Sequence, residues 1–184
     1  MSYPPEHDNP FAMSPDEVFR FLEERRFASV STLRKTGAPL TIVLGYEWDG
    51  SSLFLSMRST RAIVGRLARD PRVCITVHSN EYPPKYVIIE GVAEVVDDPG
   101  FERSKRKALR YLAADSPAMK LGRALDLEEF WKNYFTVGRV CYVVRPQRLM
   151  SEDGAKWGDE AGAGAGASDA KARERGELAP GQGR

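Results

Sequence analysis

The six residues from Ser56 to Arg61 carry two arginines and three hydroxyl side chains. The apolar residues of 53–57 alternate with other residues before this segment, which is typical of a short strand. An apolar set at positions 63, 64 and 67 follows and predicts a helix, which Ser59 or Thr60 is placed to cap. The segment is therefore expected to join a strand to the start of a helix.

This junction has the composition of an anion site. A helix start leaves unpaired backbone N–H groups and the positive end of the helix dipole. Arginines and hydroxyls beside those groups favour a phosphate. The alternative interpretation is an ordinary capped helix with solvated arginines.

The elements around the junction predict an α+β barrel. Ser14-Pro15-Asp16-Glu17 is a helix start with a capping serine, an early proline and a glutamate three residues after the cap. Short turns join most of the expected strands, which favours antiparallel pairing. The predicted strands cover 27–33, 40–48, 53–57, 72–78, 86–96 and 137–145, with Pro146 ending the last one. Gly91, in the middle of the fifth strand, predicts a bulge or a close backbone approach.

Two further helices are expected before the last strand. The helix after Asp97-Asp98-Pro99 is rich in basic residues between 103 and 110, which predicts either a solvated face or a rim that steers an anionic ligand. The helix over 125–134 has Leu127, Phe130, Trp131 and Tyr134 at helical spacing, which favours a core-facing stripe; the alternative is that this helix lines a cofactor or acceptor pocket.

Composition limits the function classes. With 184 residues, 42% of them hydrophobic, the chain can form one domain with a real core. A net charge of +1 does not suit non-specific nucleic-acid binding, and no apolar run is long enough to cross a membrane. The start lacks the features of a signal peptide, and Cys74 and Cys141 are expected as reduced thiols, so we expect a cytoplasmic protein.

Three regions are expected along the chain. Residues 1–13 are polar and predict a loose arm, and residues 14–150 predict the folded barrel domain. Residues 151–184 hold eight of the 16 glycines, and Trp157 and Leu178 are their only large apolar side chains. Such a segment buries too little surface to offset its chain entropy, which predicts a disordered tail with Trp157 as an anchor at its start.

The sequence lacks the common catalytic motifs, and we identify no catalytic residue. It has two histidines, no Cys-x-x-Cys pair and no metal-ligand spacing, so no metal is expected. A nucleophile elbow, a P-loop and a Gly-x-Gly-x-x-Gly fingerprint are also missing. This pattern favours a protein that binds and orients a cofactor, while the cofactor supplies the chemistry.

Several motifs, in this order, resemble the pyridoxamine 5′-phosphate oxidase-like split-barrel superfamily, and most of all its probable F420-dependent branch. The resemblance covers residues 14–150. It is carried by Phe27-Ala28-Ser29-Val30-Ser31-Thr32, Gly37-x-Pro39, Trp48-Asp49-Gly50-Ser51-Ser52-Leu53-Phe54-Leu55-Ser56, Leu67-Ala68-Arg69-Asp70-Pro71-Arg72-Val73 and Pro83-Pro84-Lys85-Tyr86-Val87-Ile88-Ile89-Glu90-Gly91.

The resemblance implies a six-stranded antiparallel split β-barrel with peripheral helices, which forms a homodimer. Its cofactor would be FMN or coenzyme F420, and its reaction a hydride transfer to a small organic acceptor. The cofactor phosphate would bind at the strand-to-helix junction, and the ring would lie near Thr41–Val43 and Val73–Thr76. Carried onto this sequence, the phosphate-binding residues are Ser56, Arg58, Thr60 and Arg61, with Arg66 as a second-line candidate.

One departure from the family pattern keeps other functions open. Ile63 stands where family members commonly have a lysine, and Arg58 or Arg61 would have to replace its charge. The alternative function is a non-catalytic protein that binds a flavin, haem or another tetrapyrrole, with His78 as an axial ligand. A pyridoxamine phosphate oxidase proper would need a second phosphate cluster, which the sequence does not show.

Overall fold

The fold was analysed in a computed structural model that describes residues 9–25, 27–112, 127–136 and 138–158. The helices are α1 (Pro15–Glu24), α2 (Ala62–Arg69), α3 (Glu102–Leu112) and α4 (Leu127–Thr136). The strands are β1 (Phe27–Leu33), β2 (Pro39–Trp48), β3 (Leu53–Arg58), β4 (Arg72–His78), β5 (Lys85–Val96) and β6 (Arg139–Asp153).

The six strands close into an antiparallel barrel in the order β1-β2-β3-β6-β5-β4. This confirms the predicted α+β split barrel. β1, β2 and β3 form a meander, and β4 and β5 form a second local pair. β6 pairs with β3 on one side and β5 on the other, and the pairing of β1 with β4 completes the closed barrel.

The barrel interior is an apolar core that two helices complete. α1 contributes Val18, Phe21 and Leu22, and α2 contributes Ile63 and Leu67. The α1 start is the predicted capping box: the Glu17 backbone N–H donates to Ser14, and the Ser14 N–H donates to the Glu17 carboxylate. No helix among the described residues is long and apolar enough to cross a bilayer.

β6 does not end at Pro146, so that prediction is wrong. The strand continues to Asp153, and its register with β5 shifts between Glu90 and Gly91, where Gly91 faces Pro146. A proline is tolerated there because the hydrogen-bond ladder is already interrupted. A Cβ built on Gly91 would lie 2.5 Å from the Arg145 carbonyl oxygen, so the predicted close backbone approach at Gly91 is confirmed.

The described parts of the expected arm and tail contact the barrel. The Met13 N–H donates to the Ser151 hydroxyl at 3.1 Å, and the Asp153 N–H donates to the Phe11 carbonyl at 2.8 Å. A short 3₁₀ helix, Gly154–Trp157, follows β6, and the Trp157 indole donates to Glu152. The loose arm and the disordered tail therefore stay predictions for residues 1–8 and 159–184, which lie outside the described residues.

Candidate anion-binding site

A cavity of about 550 Å³ lies where β3 ends and α2 begins. Strand β3 and the following turn supply most of its lining, α4 adds a tyrosine, and β6 adds an arginine. The lining residues are Ser56, Met57, Arg58, Thr60, Arg61, Tyr134 and Arg139. The cavity thus brings together four of the five sequence-predicted binding residues.

Arg139 is held rigidly at the back of this cavity. It pairs with Arg58 across β3 and β6. Its Nε donates to Ser56 Oγ at 2.9 Å, and its Nη2 donates to the Ser56 carbonyl at 3.1 Å. The guanidinium carbon lies 3.8 Å from the centroid of the Tyr134 ring, a cation–π contact. An arginine fixed in this way is preorganised for an anion.

The three cavity arginines have no acidic partner in the described part of the chain. No carboxylate there forms a salt bridge with Arg58, Arg61 or Arg139. Other arginines nearby are neutralised, since Arg103 and Arg106 both pair with Glu47. The cavity therefore concentrates uncompensated positive charge, which is the electrostatic requirement for a phosphate.

The helix start at the cavity differs from the expected cap. The N-cap residue is Arg61, not Ser59 or Thr60, and its side chain makes no capping hydrogen bond. The Ser59 N–H instead donates to the Gly138 carbonyl at 2.8 Å, so strand pairing extends past β3 and shifts the helix start. The first turn of α2 thus begins beside the cavity, and the Arg61 side chain does not cap its backbone N–H groups. Uncapped N–H groups at a helix start favour the binding of an anion.

Lys107 of α3 lies behind Ser56. Its side chain is 3% exposed, and its Nζ donates to the Ser56 carbonyl at 2.6 Å. Burial, followed by the charge of Arg139, lowers the pKa of Lys107 to about 7. The predicted solvated face of α3 is therefore wrong at this position. Ser104, one turn earlier on α3, also contacts Ser56, with its Oγ donating to Ser56 Oγ at 2.9 Å, so this face of α3 packs on Ser56.

Tyr134 was expected in a core stripe, but it lines the cavity. Its hydroxyl donates to the Ser104 carbonyl at 3.3 Å, and burial raises its pKa. Trp131 and Phe135 pack beside it, with ring centroids 5.8 and 5.2 Å from the Tyr134 ring. The side chains of Leu127 and Phe130, the other members of the expected stripe, lie outside what the structure describes.

The structure places the remaining candidate, Arg66, and the departing residue Ile63, both on α2, away from the cavity lining. Arg66 donates from Nε to Thr32 Oγ1 at 2.9 Å. Ile63 is 1% exposed and belongs to the barrel core. The positive charge of the cavity therefore comes from its arginines and not from position 63. One of these arginines, Arg139, was not predicted, because it is far from the junction in sequence and lies in no recognisable motif.

A second cavity, of about 410 Å³, lies on the outer face of the barrel. Val73 and Cys74, from the segment expected near the cofactor ring, line it together with residues of β1 and β5. On the strand next to β1, Val43 is 63% exposed.

His78, the candidate axial ligand, lines neither cavity. It is exposed, with Nδ1 3.0 Å from the Ser79 carbonyl oxygen.

Solved structures share this fold. A conserved hypothetical protein, Rv2991, from Mycobacterium tuberculosis superimposes with a TM-score of 0.66 at 24% identity, covering 83% of this chain and 92% of that one. An F420 reductase gives 0.54 at 24% identity, with 71% and 93% covered. HutZ, the haem storage protein from Vibrio cholerae, gives 0.56 at 15% identity, with 74% and 93% covered. At these identities the likeness establishes the fold.

Sequence comparison gives the family. Curated protein sequences yield no significant match. The family model for pyridoxamine 5′-phosphate oxidase matches residues 14–132, which include β3, the turn after it and α2. Since this match spans more than half of the chain, and the barrel has the expected topology, the chain belongs to the pyridoxamine 5′-phosphate oxidase family of flavin-binding split barrels.

Proposed function

We propose that this protein is an oxidoreductase that uses FMN or coenzyme F420 to pass a hydride to a small organic acceptor. The observation that carries the proposal is the convergence of three arginines on one cavity at a strand-to-helix junction, with no carboxylate partner for them among the residues that the structure describes. Both cofactors carry a phosphate, and the family to which the chain belongs supports a flavin-type ligand.

The residues of the cavity fit a phosphate group. Arg58 and Arg61 at the cavity and Arg139 behind them offer guanidinium donors, and Thr60 adds a hydroxyl. When bound, the cofactor would supply the hydride chemistry. The protein's own contribution is to hold the phosphate, to fix the orientation of the molecule relative to the barrel, and to keep water from the reacting ring.

We further propose that a second copy of the chain covers the outer face of β1, β2 and β4. This face presents two large apolar side chains, Phe27 at 52% exposure and Val43 at 63%. Small residues between them, such as Ser29, allow close approach of another sheet.

A homodimer would shield the cofactor ring, and Val43→Asp should convert it to a monomer in analytical ultracentrifugation. A wild-type monomer would contradict this part of the proposal.

Cofactor binding is the first test. Purified protein is titrated with F420 and, separately, with FMN, and the quenching of tryptophan fluorescence is recorded, since Trp131 packs against the cavity residue Tyr134. The variant Arg58→Ala/Arg61→Ala should lose at least a hundredfold in affinity and stay folded. The matched control is Arg34→Ala/Lys35→Ala, which removes two exposed charges from the β1–β2 turn. Unchanged affinity in the cavity variant would reject this site.

Turnover is the second test. Loss of the absorbance of reduced F420 or reduced FMN in the presence of candidate acceptors should require the protein and disappear in the Arg58→Ala/Arg61→Ala variant. Failure of both cofactors to bind would reject the proposed function. A Soret band after haem addition that is lost in His78→Ala would instead support the haem-binding alternative, although His78 lies outside both cavities.

A further inference from the structure

Lys107 does not line the anion cavity, but it contacts a residue that does. The side chain is nearly fully buried under α3, and its Nζ is 2.6 Å from the carbonyl oxygen of Ser56, whose side chain lines the cavity. Lys107 thus contacts the backbone of a residue that lines the cavity. Its charge therefore acts on the cavity with little solvent screening.

Two cationic groups converge on the same neutral acceptor. The Ser56 carbonyl receives both Lys107 Nζ and Arg139 Nη2. Neither cation forms a salt bridge with a carboxylate of the described residues. A carbonyl dipole offsets only part of this repulsion, so the pair is electrostatically incomplete until negative charge arrives.

The other groups that face Lys107 do not complete it. Asp98 and Glu47 are the acidic groups whose charges raise the pKa of Lys107. The Asp98 carboxylate, however, accepts hydrogen bonds from the backbone N–H groups of Arg103 and Ser104. Glu47 is occupied by two arginines of α3. From β6 the Cys141 thiol also acts on Lys107, and on α4 the Tyr134 hydroxyl is directed at the Ser104 carbonyl. An anion in the cavity would supply a counter-charge.

We propose that Lys107 is a positioning residue of the anion site that takes up one proton from solvent when a phosphate-bearing ligand enters the cavity. The inference rests on the proposed function, since it takes the cofactor phosphate as the ligand. No covalent bond forms or breaks: the proton adds to the Nζ lone pair, and the ligand's negative charge stabilises the resulting ammonium. Phosphate affinity is then coupled to pH through a residue outside the cavity lining.

The coupling has a definite sign. Without ligand, the pKa of Lys107 is lowered to about 7, so the amine is largely neutral at pH 8. A bound anion favours the ammonium and raises that pKa. Between the two pKa values binding takes up a proton, and the dissociation constant should rise by up to about tenfold for each pH unit. A phosphomonoester ligand, with a second pKa near 6, is about 90% dianionic at pH 7 and about 99% dianionic at pH 8, so its own titration is nearly complete over this range.

The experiment is isothermal titration calorimetry of the full chain with FMN and with F420 between pH 7 and 9. Each pH is measured in two non-phosphate buffers of different ionisation enthalpy, which counts the protons taken up. We expect an uptake of roughly half a proton or more near pH 8 in the wild type. Zero uptake, with a dissociation constant independent of pH, would overturn the inference even if binding is tight.

Variants separate Lys107 from the groups around it. Lys107→Met should bind FMN about tenfold more weakly at pH 7 and lose the pH dependence. Lys107→Arg keeps a permanent charge, so it should retain affinity and also lose the pH dependence. Lys35→Met, an exposed control, should keep the pH dependence. A pH dependence that persists unchanged in both Lys107 variants would assign the proton to another group.

Sulfate provides an arm that does not depend on the identity of the cofactor. It stays a dianion across this pH range, and its binding raises the melting temperature. The rise relative to chloride at equal ionic strength should be larger at pH 7 than at pH 9 in the wild type and equal at both in Lys107→Arg. If neither cofactor binds but sulfate shows this pattern, the proposed function fails and the role of Lys107 stands. If sulfate shows an equal rise at both pH values in the wild type, the role of Lys107 fails.

Discussion

Arg58 and Arg139 lie directly opposite each other on the adjacent antiparallel strands β3 and β6. Like charges in a cross-strand pair are destabilising. Arg61, at the N-cap of α2, adds a third guanidinium to the same cavity. The protein thus tolerates an unfavourable arrangement in its unliganded state at the position where we propose that a phosphate binds.

Replacement of Arg58 by methionine should separate folding from binding. Because the substitution removes the repulsion with Arg139, the free energy of unfolding at low ionic strength should stay the same or rise by up to about 1 kcal/mol. Affinity for FMN or F420 should fall at least tenfold. Urea denaturation in a non-phosphate buffer measures the first effect, with Arg34→Met as control. A clear loss of stability would show that Arg58 has a stabilising partner.

Substitution of Ile63 by lysine tests whether the family's usual residue improves this site. The side chain of Ile63 is in the core, so a charge there should lower the free energy of unfolding by about 2–4 kcal/mol. Ala62→Lys, which adds the same charge at an exposed neighbouring position, should change stability by less than about 0.5 kcal/mol. Tighter FMN binding by Ile63→Lys without loss of stability would mean that the residue turns toward the cavity.

Removal of the Tyr46 hydroxyl should weaken the fold and leave the site intact. This hydroxyl donates to the Leu22 carbonyl at 2.7 Å, in the last turn of α1, and the ring is fully buried. Tyr46→Phe leaves that carbonyl without its partner, which should cost about 1–3 kcal/mol of unfolding free energy. Tyr82→Phe, at an 85% exposed ring, is the control. Thermal denaturation and the FMN titration together distinguish the two effects.

Stability without ligand should rise with pH above neutrality because of Lys107. Its pKa is about 7 in the folded protein and near 10.5 in the unfolded chain, so unfolding between these values takes up a proton. The free energy of unfolding therefore increases as pH rises from 7 and reaches its full gain near pH 10.5. The slope should be absent from Lys107→Met when denaturation is compared at pH 7 and 8.5. Equal slopes in the two proteins would show that Lys107 is charged when folded.

Local signals in the sequence predicted most of the architecture. The Ser14–Glu17 capping box is a four-residue pattern, and β4 begins and ends at the residues expected from its apolar alternation. Pro146 misled the prediction, because a proline ends a regular strand, whereas β6 has a register irregularity opposite Gly91 that accommodates it. The sequence of one strand does not specify its register with the partner strand.

The site was predictable only on the β3 side. Ser56, Arg58, Thr60 and Arg61 are close in sequence, so their spacing alone indicated an anion site. Arg139 is distant in sequence, and its place depends on which strands pair when the barrel closes. Lys107 belongs to a helix with many basic residues, and only packing against Ser56 separates it from those at the surface.

The pairing of β3 with β6 also has a consequence for folding. β1–β2–β3 and β4–β5 can form from neighbouring segments, whereas β6 must find β3 across about 80 residues of chain. Contacts of such separation form late, because loop-closure entropy opposes them until much of the structure exists. The two halves of the arginine cluster are therefore expected to come together late in folding, so a ligand that needs both of them should recognise the completed barrel.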